Sequence, residues 1–199
     1  MSETVRPRIL RAGEGPVSTW SAPNLICIVR ILLVPVFVAM FLAGLDDVAL
    51  RWWATLLFVV TIATDSVDGH LARSRNLVTD LGKILDPIAD KAITGAALVV
   101  LSAAGELPWW VTAIILLREV GITVYRFAVL SKRVIPASKG GKLKTVLQSV
   151  AITLALAPFP ALLGDWVDVV NAVLMSAAFL VTVVTGVQYL IDDRRLNAR

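Results

Sequence analysis

The feature that most constrains the fold of this chain is a series of apolar stretches, several of which reach about 20 residues. A helix of about 20 apolar residues is long enough to cross a hydrocarbon core about 30 Å thick. Of the 199 residues, 57% are hydrophobic and only 17% are charged. A soluble domain is nearer half apolar and a quarter charged. The pattern predicts an all-α integral membrane protein with one membrane domain.

The sequence predicts six transmembrane spans. Each span must be helical, because backbone groups left unpaired in lipid cost several kcal/mol each and a helix pairs them internally. The predicted domain covers residues 22–192. A flexible cytoplasmic tail, 1–21, precedes it and a short cytoplasmic tail, 193–199, follows it. The six predicted spans are 24–43, 52–72, 84–103, 108–130, 143–163 and 167–190.

The basic residues predict the orientation of these helices. With the N-terminus inside, most of the 19 Lys and Arg residues fall in inner loops and tails, and only Arg51 lies in an outer loop. Cytoplasmic loops carry such an excess. Five tryptophans then lie at outer helix ends, where their rings favour the interface: Trp52, Trp53, Trp109, Trp110 and Trp166. We expect both termini in the cytoplasm and a multi-pass protein of the plasma membrane.

Several classes of protein are excluded by composition. The single cysteine, Cys27, rules out an intramolecular disulfide framework and a CxxC metal site, and it is interpreted as a packing residue. The first 22 residues are too polar for a signal peptide. The net charge of +4 is better explained by basic loops facing anionic membrane lipids than by nucleic acid.

Four carboxylates interrupt the apolar pattern where the second predicted span ends and the third begins. Asp65 and Asp68 are three residues apart, and Asp86 and Asp90 are four apart, so each pair shares one helix face. The second span runs inward and the third runs outward. The four side chains are therefore predicted to meet near the cytoplasmic edge of the hydrocarbon.

A divalent metal explains how these acids remain ionised. Burial and a neighbouring carboxylate both disfavour a charged carboxyl group. Mg²⁺ or Mn²⁺ takes hard oxygen ligands and commonly binds a substrate phosphate as well. Two ions a few ångströms apart suit transfer at phosphorus. The predicted metal ligands are Asp65, Asp68, Asp86 and Asp90.

Small residues beside the acids predict a ligand notch. Gly69 and Ala72 leave open space on the helix that carries Asp65 and Asp68, and Arg73 is placed to reach phosphates. One alternative is a set of helix caps and surface charges. Another is a proton or cation pathway in a metal-ion transporter, which explains the acids but not Gly69, Ala72 and Arg73.

The whole pattern resembles the signature of the CDP-alcohol phosphotransferase family. Asp65-xx-Asp68-Gly69-xx-Ala72-Arg73 is followed, after eight residues, by Gly82-xxx-Asp86-xxx-Asp90, and no position is missing. The resemblance implies six helices, a homodimer and two metal ions. It implies that Asp90 is both a metal ligand and the catalytic proton acceptor. The residues implied to contact CDP are Asn24, Gly69, Ala72, Arg73, Thr79 and Gly82.

The acceptor alcohol is predicted from basic residues in the fourth and fifth spans. Arg118 lies about 18 Å from the cytoplasmic end of its span, where an arginine needs a partner. Glu119 is one candidate, in a structural pair that locks helices together, and an anionic ligand is another. Lys142 and Lys144 begin the fifth span near the depth of the aspartates. The predicted acceptor-phosphate residues are Arg118, Arg126, Lys142 and Lys144.

Further motifs narrow the resemblance to the family's glycerol 3-phosphate branch. They are Ala22-Pro23-Asn24 with Arg30, Leu117-Arg118-Glu119 with Arg126, and 141–145. The resemblance implies transfer of a phosphatidyl group from CDP-diacylglycerol to glycerol 3-phosphate at the cytoplasmic interface, with release of CMP. Inositol phosphate, or phosphatidylglycerol as used by a cardiolipin synthase, remains an alternative acceptor.

Overall fold

The computed structural model is all-helical over the residues it describes. It describes the backbone of residues 22–74, 80–130 and 139–197, and the side chains of 24–64, 85–125, 144–189 and 191. Within these ranges the helices are α1 (Ala22–Ala43), α2 (Val48–Ser74), α3 (Asp80–Ala103), α4 (Trp109–Leu130), α5 (Lys139–Leu156), α6 (Pro160–Leu163) and α7 (Trp166–Asn197).

The apolar character of the long helices agrees with a membrane protein. Two segments, Asn24–Ala43 and Trp166–Tyr189, are long and apolar enough by themselves to cross a hydrocarbon core. The six long helices coincide with the predicted spans to within a few residues, except at the ends of the fifth and the sixth, where α7 continues to Asn197 instead of ending at residue 190. The number of helices that cross the membrane and the orientation of the termini stay predictions.

The fifth predicted span is wrong at its outer end. It was expected to continue to residue 163, but α5 ends at Leu156 and a separate short helix begins at Pro160. Pro158 and Pro160 lack the backbone N–H that would continue the helical hydrogen bonds, and a proline ring clashes with the preceding turn. The prediction followed the apolar composition of this stretch and did not include the helix break at the prolines.

Helix packing places α3 at the centre of the bundle. It packs against α1, α2, α4 and α5, while α7 packs against α4 and α5. Fully buried side chains fill the space between them, namely Phe37, Phe41, Phe58, Ile93, Leu98, Leu101, Ile115, Ile152 and Leu156. The polar groups described below lie at the two ends of the bundle, on either side of this core.

One end of the bundle is held together by Arg51, at the start of α2. Its guanidinium donates to the carbonyl oxygens of Leu156 and Ala155, at 2.9 and 3.2 Å, and pairs with Glu106 at 2.5 Å. The last carbonyls of a helix have no partner within it, so these bonds satisfy the end of α5. The exposed rings of Trp53, Trp109 and Trp166 belong to this same end. Asp86 and Asp90 lie in the opposite half.

Candidate active site

Two of the predicted metal ligands lie in the first half of α3. Asp86 and Asp90 are one helical turn apart, so their side chains project from the same face. Asp86 is exposed and the Asp90 side chain is 34% exposed. Carboxylates on the accessible side of an apolar helix are positioned to meet a ligand rather than to stabilise a core.

Cys27 contributes a hydrogen bond to this pair from α1. Its thiol donates to Asp86 Oδ1 at 2.6 Å. The cysteine is 5% exposed, which agrees with its interpretation as a packing residue. The sequence analysis did not predict this polar contact. Cys27 and Asp86 are 59 residues apart, and the sequence does not show that α1 and α3 are neighbours at this point.

Glu119 on α4 is the centre of a charged cluster beside the α3 carboxylates. Its carboxylate accepts a hydrogen bond from Lys144 on α5 and pairs with Arg118 Nη1 at 3.0 Å and Lys91 Nζ at 2.8 Å. Lys91 Nζ also lies 2.8 Å from Asp90 Oδ2. Glu119 and Lys144 have side chains only 6% exposed. We call Asp90, Lys91, Arg118, Glu119 and Lys144 the charged cluster.

Arg118 is anchored to α7 as well as to Glu119. Its Nη2 donates to Thr185 Oγ1 at 3.0 Å, while its buried Nε has no hydrogen-bond partner among the described residues. The side-chain stem lies against Gly186, where an added Cβ would approach Arg118 Cγ to 3.0 Å. Glycine at this position therefore gives the arginine room to lie between α4 and α7.

One of the two possibilities left open for Arg118, the pair with Glu119, is present in this arrangement, and the anionic ligand stays a prediction. The Arg118–Glu119 pair is present and ties α4 to α7 through Thr185. Glu119 is nevertheless shared among three cations, with Asp90 as the other carboxylate of the cluster. Counted over its five residues, the cluster carries one more positive than negative charge, and the nearby Asp86 carboxylate is not part of that count.

Of the remaining predicted residues, Asn24 is described in full, and the others lie wholly or partly outside the described parts of the chain. Asn24 is 2% exposed at the start of α1, on the helix that packs against α2 and α3. Thr79 is outside the described backbone. Others lie on described helices, but their side chains are outside the described residues, namely Asp65, Asp68, Gly69, Ala72, Arg73, Gly82, Arg126 and Lys142.

The donor atoms on α3 fit a hard divalent cation. Asp86 Oδ1 and Asp90 Oδ2 accept bonds from Cys27 and Lys91, and the second oxygen of each carboxylate has no protein partner among the described residues. Oxygen donors of this kind suit Mg²⁺ or Mn²⁺. Among the described side chains no three acidic, cysteine or histidine groups converge, and the predicted role of the α2 aspartates as ligands stays a prediction.

A large cavity at the other end of the bundle is not the candidate site. It has a volume of about 960 Å³ and a mainly apolar lining, with Arg51 and Glu106 on its wall. Neither α3 carboxylate lines it, and the charged side chains among its described lining residues are Arg51, Glu106 and Asp168. The described groups able to bind phosphate or metal lie at the opposite end of the bundle.

Sequence reasoning missed Lys91, Thr185 and Gly186 as parts of the site. Lys91 carried a usable signal, because a lysine inside a predicted span needs a partner and it directly follows Asp90. Thr185 and Gly186 carried none, since threonine and glycine are common in membrane helices. Only the packing of α7 against α4 gives them a role.

Comparison with known proteins agrees with the aspartate signature. The family model for CDP-alcohol phosphatidyltransferase matches residues 20–184. A Mycobacterium tuberculosis protein named probable phosphatidylglycerophosphate synthase is 48% identical over 167 residues, which cover 83% of this chain and 78% of that protein.

More distant relatives carry an equivalent name. Proteins of Bacillus subtilis and Rickettsia typhi, each named CDP-diacylglycerol–glycerol-3-phosphate 3-phosphatidyltransferase, are 34% identical to this chain. The matches cover 85% and 84% of the chain, respectively, and 93% of each relative. The signature, the helical architecture and the extent of these matches lead to one conclusion: the chain belongs to the CDP-alcohol phosphatidyltransferase family.

Proposed function

We propose that this protein transfers the phosphatidyl group of CDP-diacylglycerol to glycerol 3-phosphate, giving phosphatidylglycerol phosphate and CMP. The observation that carries the proposal is the position of the α3 carboxylates beside a cluster with excess positive charge. Transfer between two phosphate-bearing substrates requires an acid pair suited to metal and cations that bind phosphate, and the charged cluster supplies such cations. The names of the relatives support the same pair of substrates.

Asp65, Asp68, Asp86 and Asp90 would hold two divalent ions, Mg²⁺ or Mn²⁺. When bound, such ions neutralise the charge of the diphosphate and polarise its phosphorus–oxygen bonds. The proposal is supported by the second oxygens of Asp86 and Asp90, which have no protein partner within the part of the chain that the structure describes. Cys27 would orient the Asp86 carboxylate, because a hydrogen bond to one oxygen restricts its rotation.

The CDP group of the donor would lie against α2 and the start of α3. Gly69, Ala72 and Gly82 would let the nucleotide approach the helix backbone, and Arg73 would pair with its phosphates. Asn24 and Thr79 would add polar contacts. The family signature supports these roles, and the burial of Asn24 beside α2 and α3 is compatible with its part in them.

The phosphate of the acceptor would bind Arg118, Arg126, Lys142 and Lys144. Support comes from the net positive charge around Glu119 and from Arg118 Nε, a buried donor without a partner among the described residues. A buried donor that is left unsatisfied costs about 1–3 kcal/mol, so a phosphate oxygen reaching it would gain that free energy back.

The reaction would be a displacement at the phosphatidyl phosphorus. Asp90 accepts the proton of the attacking glycerol 3-phosphate hydroxyl, whose oxygen forms the new bond to phosphorus. The bond from that phosphorus to the bridging oxygen breaks, and CMP leaves with the electron pair while Arg73 pairs with its phosphate. The low exposure of Lys144 and Glu119 would limit access of competing water.

We further propose that the protein works as a homodimer in the plasma membrane, with six spans, both termini inside and the site at the cytoplasmic interface. The apolar long helices support the membrane spans. The homodimer rests on the family resemblance, and the orientation rests on the distribution of the basic residues. The lipid tails of the donor then remain in the bilayer, while glycerol 3-phosphate arrives from the cytosol.

A direct assay tests the acceptor. Purified protein is supplied with CDP-diacylglycerol, Mg²⁺ and, separately, glycerol 3-phosphate, inositol phosphate or phosphatidylglycerol, and CMP release is measured. We expect release with glycerol 3-phosphate. Release only with inositol phosphate or phosphatidylglycerol would move the protein to another branch of the family. Uptake of divalent metal into proteoliposomes without any CMP release would instead support a transporter.

A further inference from the structure

Lys91 makes equal contacts with two carboxylates on different helices. Its Nζ lies 2.8 Å from Asp90 Oδ2 on α3 and 2.8 Å from Glu119 Oε2 on α4. A lysine ammonium has three donors, so it is able to serve both partners at once. The side chain is 28% exposed, and it therefore sits at the wall of the site rather than in the core.

Glu119 extends this contact to the cations proposed for the acceptor phosphate. Its other oxygen, Oε1, accepts from Lys144 on α5 and from Arg118 Nη1. A continuous path of ion pairs thus runs from Asp90 through Lys91 and Glu119 to Lys144 and Arg118. The path joins three helices, α3, α4 and α5, by side chains alone.

The length of glycerol 3-phosphate limits the distance between the cations that bind its phosphate and the carboxylate of Asp90. Its phosphate and its reacting hydroxyl are at opposite ends of a three-carbon chain. When the phosphate is bound by Arg118 and Lys144, Asp90 must stand where the hydroxyl arrives, within hydrogen-bond reach. A misplacement of about 1 Å at such a point is able to cost about 100-fold in rate.

We propose that Lys91 is a positioning residue that holds Asp90 in register with the acceptor-phosphate cations by bridging it to Glu119. The inference rests on the proposed function, which identifies the acceptor as glycerol 3-phosphate. In this role Lys91 contacts neither substrate. The competing explanation is that Lys91 only neutralises two neighbouring acids.

Substitution of Lys91 in the full chain, purified in lipid nanodiscs, tests the bridge. For Lys91→Met we expect kcat to fall about 10- to 100-fold. The dissociation constant of glycerol 3-phosphate, measured by calorimetry, should change less than about threefold, and so should the KM of CDP-diacylglycerol. Lys91→Arg keeps the charge but presents a longer planar group, so its kcat should also fall.

Glu119→Gln tests the same path from its other side. Because Lys91 acts through Glu119 in this proposal, the losses in kcat of Lys91→Met and Glu119→Gln should be non-additive in the double variant. Glu106→Gln is the matched control, since it breaks an ion pair with Arg51 at the opposite end of the bundle. It should leave kcat unchanged.

Three results would overturn the proposal. Full activity of Lys91→Arg would mean that charge alone suffices. Weaker glycerol 3-phosphate binding with unchanged kcat in Lys91→Met would make Lys91 a phosphate ligand. Additive losses in the double variant would break the link to Glu119. If the unsubstituted protein releases CMP only with another alcohol, the proposed acceptor fails, and the same variants measured with that alcohol still decide the role of Lys91.

Discussion

The thiol of Cys27 on α1 donates a 2.6 Å hydrogen bond to Oδ1 of Asp86 on α3. The bond joins the first helix of the bundle to a carboxylate of the family signature. Hydrogen bonds to a metal ligand fix its orientation, and their loss typically lowers metal affinity 10- to 100-fold. The residue is therefore more than a small apolar group between helices.

Removal of this thiol should weaken divalent metal binding. We expect Cys27→Ala to lower Mn²⁺ affinity about tenfold, whereas Cys27→Ser keeps a donor and should retain most of the affinity. Electron paramagnetic resonance of free Mn²⁺ measures this without any turnover. Equal affinities of the alanine variant and the unsubstituted protein would show that the contact does not orient the ligand.

Neutralising a signature aspartate should abolish CMP release at every practical Mg²⁺ concentration. Asp86→Asn and Asp68→Asn each remove a charge needed by the metal while keeping nearly the same volume, so insertion and folding should persist. Asp46→Asn, in the exposed turn between α1 and α2, is the matched control and should be fully active. Near-normal CMP release by Asp86→Asn or Asp68→Asn would contradict the metal assignment.

Loss of a cation from the acceptor site should affect one substrate selectively. Arg118→Gln, Arg126→Gln, Lys142→Met and Lys144→Met should each raise the KM of glycerol 3-phosphate far more than that of CDP-diacylglycerol. A charged hydrogen bond contributes about 1.5–3 kcal/mol, or roughly 10- to 150-fold in binding. Initial rates measured while the concentration of each substrate is varied give the KM of glycerol 3-phosphate and the KM of CDP-diacylglycerol. Unchanged glycerol 3-phosphate dependence in all four variants would leave the Arg118–Glu119 pair with a purely structural role.

A methyl group at position 186 should disturb Arg118 without harming the helix. In Gly186→Ala the new Cβ meets Arg118 Cγ at 3.0 Å and Nε at 3.2 Å, so the arginine side chain must shift by a few tenths of an ångström, which strains its rotamer. The cost of about 0.5–1.5 kcal/mol corresponds to a roughly two- to tenfold rise in the KM of glycerol 3-phosphate.

Gly121→Ala is the control for this substitution, because nothing lies within 4 Å of a Cβ at that position. Both variants gain helix propensity, about 0.8–1 kcal/mol per residue relative to glycine. Thermal unfolding should show Gly121→Ala slightly stabilised and its kinetics should be unchanged. Identical kinetics for the two variants would mean that Arg118 moves freely away from α7.

The orientation in the membrane is tested by labelling single cysteines in intact cells. Cys27 is first replaced by serine, because it would confuse the readout. A cysteine at the exposed position of Asp46 should react with an impermeant maleimide from outside, and a cysteine at Ser138 should not. The reverse pattern would place the carboxylates on the outer face and exclude cytosolic glycerol 3-phosphate as the acceptor.

The sequence by itself determined the class of fold and the family. Apolar stretches of about 20 residues require helices, because lipid offers no partners for the backbone. The carboxylate spacing in the signature depends only on local helix periodicity, so Asp86 and Asp90 were placed on one face without any tertiary information. The end of α5 was missed because apolar composition alone does not reveal that Pro158 and Pro160 interrupt the helix.

Only the tertiary structure decided which distant residues support the site. The partners of Asp86, Arg118 and Glu119 include Cys27, Thr185 and Lys144, which are 59, 67 and 25 residues away along the chain, respectively. Such contacts depend on which helices pack together and on how each is rotated about its axis. Hydrophobic pattern does not specify that rotation when both sides of a helix face apolar surroundings, one protein and one lipid. The link from Asp90 through Lys91 to Glu119 therefore emerges only once α3, α4 and α5 are packed.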